Sequence, residues 1–193
     1  RHEPQQAIDW YEKFVLINPD SVWISPYHFR IGSLYLNMNQ PDKAVHNLKE
    51  AVRLKPENIE YHTQLTVALV RSGDAVAGEA EAKALLRLDS VNVRGTQTLA
   101  VAILRQGRYA EAWQWGQRLE KITPPTSWEA PYFYARWFAR QGNVKEALPQ
   151  LEKAFKQGFS TNASAILTNP DFASIKQDSG FMSLIRTYCS DKK

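Results

Sequence analysis

Residues 25–58 read SPYHFRIGSLYLNMNQPDKAVHNLKEAVRLKPEN, and this stretch decides the fold. Between Phe29 and Leu36, the apolar and small residues Ile31, Gly32, Leu34 and Tyr35 fall at i, i+1, i+3 and i+4, which is one face of a helix. After the break at Asn39-Gln40-Pro41, a second stripe follows at i, i+4, i+7 and i+8 in Ala44, Leu48, Ala51 and Val52. Pro41 stands where a first helical turn tolerates proline, and Pro56 keeps the second helix from continuing. The unit is a helix, a short turn with a residue tolerant of the left-handed region, a second helix and a stop. One such hairpin cannot bury both stripes, so it must stack on neighbours of the same kind.

The neighbours are in the sequence. Ala7, Ala44, Gly78, Ala112 and Ala147 form a column of small residues spaced by 37, 34, 34 and 35 positions. Asn39, Gly73, Gly107 and Gly142 form a second column, each between two apolar-periodic stretches. Pro19, Pro56, Ser90, Pro124 and Phe159 form a third, closing each unit. Three columns at one period make the chain a helical repeat array.

The unit resembles the tetratricopeptide repeat, a helix–turn–helix with the W-x2-L-G-x2-Y, A-x3-F, P signature. In residues 25–58, Ile31-Gly32, Tyr35, Ala44, Leu48, Ala51 and Pro56 occupy signature positions, with His28 in place of the usual Trp. Residues 93–126 supply Leu99, Ala100, Gly107, Tyr109, Ala112 and Pro124; residues 128–161 supply Tyr134-Ala135, Phe138, Gly142, Ala147, Leu151 and Ala154. Residues 59–92 are the most degenerate, keeping Leu65, Leu69, Gly73 and Leu85. The resemblance implies an all-α, right-handed α-solenoid, read here as a single domain over 1–193. Its parts are the second helix of a truncated repeat (1–24), full repeats at 25–58, 59–92, 93–127 and 128–161, and capping helices at 162–193.

Both ends depart from the period. Ala7, Tyr11, Phe14 and Pro19 match the second helix of a repeat whose first helix would precede Arg1, so either the chain is a fragment of a longer protein, the favoured reading, or helix 4–17 acts as an N-terminal cap. Ser21-Val22-Trp23 lengthen the first inter-repeat loop. Asn169–Ile175 and Asp178–Ile185 read as two short helices, similar to the closing element of many bacterial arrays of this family. Such an element covers the apolar end of the last repeat, and Lys192-Lys193 should fray.

Composition narrows the function. The 193 residues are 44% hydrophobic and 23% charged, the balance of a globular protein rather than a disordered one. No apolar run approaches the roughly 20 residues that span a bilayer, so membrane insertion is not expected. One cysteine, Cys189, excludes an intrachain disulfide framework and leaves the compartment open, with the cytoplasm slightly favoured over the periplasm. The net charge of +4 is spread along the chain rather than gathered in a stripe, which argues against a nucleic-acid partner. Helical-repeat RNA readers also need a consistent side-chain code, and Phe29, Thr63, Gln97 and Tyr132 at one repeat position are none.

No catalytic constellation stands out. The four histidines, His2, His28, His46 and His62, form no H-E-x-x-H. His28 and His62 share one position in successive first helices, where filling the Trp slot is preferred over metal binding. Phosphate-cradling and nucleophile-elbow motifs are absent. The expectation is a non-enzyme without metal or cofactor.

The resemblance instead implies binding. Carried onto this sequence, the family's groove-facing positions are Phe29, Arg30, Ser33 and Asn37; then Glu60, Thr63, Gln64, Val67 and Arg71. The next repeats give Arg94, Gln97, Thr98, Val101 and Arg105, then Glu129, Tyr132, Phe133, Arg136 and Arg140. Six arginines face two glutamates on this surface. Arginine presents a five-donor fork suited to carboxylates, so the expected partner is an acidic peptide or protein segment in a basic concave groove. The bland alternative is that these arginines pair with Glu60 and Glu129 or lie over helix stems. The chaperone-binding carboxylate clamp is not matched, because Phe29, Ser33, Gln64 and Thr98 hold four of its positions and only Arg94 keeps a basic residue. Two further roles stay open: a regulatory or substrate-presenting module of a larger bacterial enzyme or regulator whose catalytic domain lies upstream, and self-association through the N-terminal face.

Overall fold

The computed structural model describes residues 4–17 and 22–189. Pro19, Ser21, His2 and Lys192-Lys193, on which the sequence places expectations, lie outside these residues. Among the described residues there are eleven α-helices and no strand. The helices gather into two compact units, residues 1–102 and 103–193.

The first unit holds α1 (Pro4–Ile17), a 3₁₀ turn at Val22–Ile24, α2 (Ser25–Asn37), α3 (Pro41–Leu54), α4 (Ile59–Ser72), α5 (Ala75–Leu88) and most of α6 (Val93–Arg105). Its core joins Ile8 of α1 to Ile31, Tyr35, Leu36, Ala44, Leu48, Leu65, Ala68 and Leu69. The second unit holds the end of α6, α7 (Tyr109–Ile122), α8 (Glu129–Arg140), α9 (Val144–Lys156), α10 (Ala163–Leu167), a 3₁₀ turn at Pro170–Phe172 and α11 (Ser179–Tyr188). Its main core runs from Ala135, Ala139, Ala147 and Leu151 to Phe172, Ile175, Phe181 and Ile185 of the closing segment.

Local chemistry explains the hairpins. Asn39, Gly73, Gly107 and Gly142 all carry positive φ, at 56°, 96°, 78° and 70°, so every member of the turn column adopts the left-handed region. Asn39 reaches it because a short amide side chain tolerates that region better than most. Asparagine or aspartate caps the start of α4, α5 and α9. Asn58 accepts from the Tyr61 amide, Asp74 from Ala77 and Asn143 from Glu146. The small-residue column is small because helices touch there: Ala44 and Ala112 are fully buried and Ala147 nearly so. At Gly116, a Cβ would run into the ring of fully buried Phe133, so only glycine admits the contact between α7 and α8.

The closing segment differs from its expected form. The first cap helix, expected at Asn169–Ile175, is a single 3₁₀ turn at Pro170–Phe172, and a short helix precedes it at Ala163–Leu167. Asn169 sets this turn by accepting from the Asp171 amide at 3.0 Å, with Pro170 fixing the next φ. No described helix is long and apolar enough to cross a membrane.

Candidate functional site

In the second unit, three of the expected groove arginines converge on one carboxylate. Arg105 ends α6, and Arg136 and Arg140 lie one turn apart on α8. Asp171, on the 3₁₀ turn of the closing segment, has no exposed surface. Arg105 donates from Nε to Oδ1 and from Nη2 to Oδ2, both at 3.2 Å. Arg136 donates from Nε to Oδ2 at 2.8 Å and again from Nη2. Arg140 adds one bond, from Nη1 to Oδ1 at 3.1 Å.

Burial alone would push the Asp171 carboxyl up, but Arg136 and Arg105 override it and hold the group well below the usual carboxylate range. Burial also pulls Arg105 down; Asp171 opposes this, while Arg136 and Arg140 reinforce it. Arg136 is itself buried, and Asp171 together with Tyr132 more than offsets the desolvation. Its guanidinium lies 5.5 Å from the centre of the Tyr132 ring. Tyr132 stacks on Phe159 at 4.0 Å and accepts from Asn169 Nδ2 at 3.3 Å.

In the first unit the corresponding side chains meet neutral groups. Arg30 donates to the Tyr11 hydroxyl at 3.3 Å, Arg71 to Asn39 Oδ1 at 2.8 Å, and Arg94 to Gln97 Oε1 at 3.5 Å. All three arginines are exposed, and none has a carboxylate partner among the described residues. Phe29 stacks on Tyr61 at 4.9 Å, Ser33 bonds back to the Phe29 carbonyl, Asn37 is exposed and Gln97 is buried. Two other positions mapped to the groove, Val101 and Phe133, are buried core residues. Glu60 accepts from Gln64, and Glu129 Oε2 is buried without a hydrogen-bond partner, so the pairing that absorbs arginines is with Asp171 instead.

Asp171 escaped the sequence reading. A signal was present: between Ser160 and Gln177 it is the sole acidic residue, and Ile166, Phe172 and Ile175 around it are buried. A lone carboxylate in an apolar segment needs a cation.

His28 and His62 each have a partner of their own. His28 Nδ1 lies 3.1 Å from Asn47 Oδ1, and His62 Nδ1 lies 2.5 Å from Glu81 Oε1, each joining a first helix to the second helix of its own repeat. No group of three metal-ligating side chains occurs among the described residues. In the second unit Trp113 packs against Tyr134 and Trp137 at 4.8 and 4.7 Å, while Trp115 carries the Arg118 guanidinium 5.3 Å from its ring centre.

Comparison with known proteins agrees with this architecture. Two family models, both described as tetratricopeptide repeat, match residues 25–58 and 63–126, together just over half of the chain. No curated protein matches the sequence. Among solved structures, MamA superposes with a TM-score of 0.62 at 20% identity, covering 78% of this chain and 85% of that one. YrrB, described as a TPR protein with an unusual peptide-binding site, has a TM-score of 0.62 at 17% identity and covers 80% of this chain and 78% of its own. TTC0263, a thermophilic TPR protein of Thermus thermophilus, gives 0.62 at 17% identity, with 80% and 83% covered. At these identities the likeness is one of fold. The hairpin columns, the left-handed turns and the matching family models together make this chain a member of the tetratricopeptide repeat family.

Proposed function

We propose that this chain is a non-catalytic scaffold that binds an acidic peptide or protein segment on the first helices of its repeats. Tetratricopeptide arrays present first-helix side chains to partners, and YrrB is described as having a peptide-binding site. The observation that carries the acidic preference is the set Arg30, Arg71 and Arg94, exposed and, among the described residues, bonded to neutral groups. An arginine whose fork is not engaged by a carboxylate keeps its strongest interaction for a ligand. Phe29, Ser33, Asn37 and Gln97 lie on the same helices, and Asn37 is open to solvent.

Acetylated pentaglutamate amide and its pentaglutamine counterpart, labelled and followed by anisotropy, test this reading. The glutamate peptide should bind measurably tighter at low salt. The triple substitution Arg30→Gln, Arg71→Gln, Arg94→Gln should weaken it by about tenfold or more, with melting unchanged. Equal binding of the two peptides would refute the acidic preference. Charge reversal at Arg105 or Arg136 is unsuited to this purpose, because it would set a second carboxylate against Asp171.

A second reading, self-association through α1, has its own observation. Trp10, Leu16 and Ile17 are 62%, 77% and 76% exposed on this helix, more apolar surface than one isolated helix usually shows to water. Sizing at two concentrations should then give a larger species at the higher one, lost in Trp10→Glu/Leu16→Glu. A constant monomer would remove this reading.

A further inference from the structure

We propose that a second copy of this chain covers the exposed face of α1, in a closed twofold dimer whose α1 helices run antiparallel with Lys13 of each copy set against Asp9 of the other. This rests on the self-association reading above and adds to it the partner surface, the symmetry and the size of the assembly.

α1 has the stripe of a second helix without the cover that the others have. Ala7, Tyr11 and Phe14 stand at the same offsets as Ala44, Leu48 and Ala51 of α3. In α3 those three have no exposed surface, whereas in α1 they are only half-buried. Tyr11 and Phe14 reach Tyr27 of α2, with ring centres 5.7 and 4.4 Å apart. Trp10 stacks on Phe14 at 6.4 Å and, with Leu16 and Ile17, stays open to water.

The symmetry follows from where a receptor for this face is found. In the second unit the closing segment buries Phe172, Ile175, Phe181 and Ile185 and shows Lys176, Gln177, Ser183 and Arg186 to solvent. A head-to-tail contact would lay apolar α1 on that polar surface, and such contacts propagate without closing unless their rotation makes a ring. In the first unit the exposed Val76 and Val91 stand on separate elements, α5 and the turn before α6, and offer no continuous helix face. A second α1 does offer one. Two such faces laid together bury each other and close at two copies.

Charge sets the direction. Asp9 and Lys13 are both exposed and lie one turn apart on α1, two residues to either side of Tyr11. In a parallel twofold pair each would meet its own copy, like charge against like. In an antiparallel pair with the axis beside Tyr11, each Asp9 stands level with the other Lys13, giving two ion pairs. The Lys13 stem then lies over Trp10 of the partner copy.

Sedimentation equilibrium of the full chain tests the proposal. The parent should fit a monomer–dimer equilibrium with no larger species. Lys13→Glu and Asp9→Lys should each raise the dimer dissociation constant about tenfold or more, because each turns both attractions into repulsions. Both positions are exposed, so the circular dichroism of the variants should match the parent. Mixed in equal amounts, the two variants should pair about as tightly as the parent, since each new glutamate then meets a new lysine. Species that keep growing with concentration would overturn the closed dimer while leaving self-association through α1 in place. A dimer that neither variant weakens would refute this pairing; the reading through α1 then stands only if Trp10→Glu/Leu16→Glu still abolishes the dimer. A monomer at every concentration removes both.

Discussion

Replacing Asp171 with alanine is expected to destabilise the second unit by about 3–5 kcal/mol, because it removes the carboxylate that three guanidiniums share in a largely desolvated cluster. The contact spans 66 residues to Arg105 and 35 to Arg136, so it fastens the closing segment to the first helices of two repeats at once. Chemical denaturation at neutral pH measures the effect, and a loss under about 1 kcal/mol would contradict it. The pH dependence has a definite sign. The Asp171 carboxyl is held below its unfolded value, so its contribution is complete above about pH 5 and is lost as pH falls through the lower folded value. The gap between the parent and Asp171→Ala should therefore narrow in acid and stay constant from neutral to mildly alkaline pH.

Phe181→Ala is the second large effect, at about 3–5 kcal/mol. Phe181 opens α11 with no exposed surface, its ring centre 5.5 Å from that of Phe172, within the cluster that includes Leu151, Ile166 and Ile185. That cluster is what the closing segment contributes to the core, so the cavity would lie where the segment meets α9 rather than at an edge that can collapse. Urea unfolding followed by far-UV circular dichroism and tryptophan fluorescence, four of the six tryptophans lying in the second unit, measures it. A change under about 1 kcal/mol would mean that the segment packs more loosely than these burials show.

The two effects mark where the sequence was readable and where it was not. Hairpin geometry was legible because it is local. Asn39, Gly73, Gly107 and Gly142 recur at one period, and a left-handed turn leaves few residue choices, so the column and the backbone agree residue by residue. The small-residue column was legible for a similar reason, since close helix approach restricts side-chain size. The closing segment was harder. Its apolar steps announced a cap, but the geometry of Asn169–Ile175 depends on Asp171 reaching Arg105, Arg136 and Arg140, and no short-range pattern encodes such a contact. The candidate site divided on the same line. Helical spacing placed the six arginines on first helices, but which of them already hold a carboxylate is a tertiary fact. It separates Arg105, Arg136 and Arg140 from Arg30, Arg71 and Arg94.

The central claim is that acidic peptide is held by first-helix arginines that Asp171 does not saturate. Amide and arginine side-chain shift mapping of the full chain with acetyl-pentaglutamate amide tests it most directly. Shifts are expected at the Nε–H groups of Arg30, Arg71 and Arg94 and in the backbone of α2, α4 and the start of α6, while the Arg136 side chain stays still. Shifts confined to the second helices α3, α5, α7 and α9, or none at all, would contradict it.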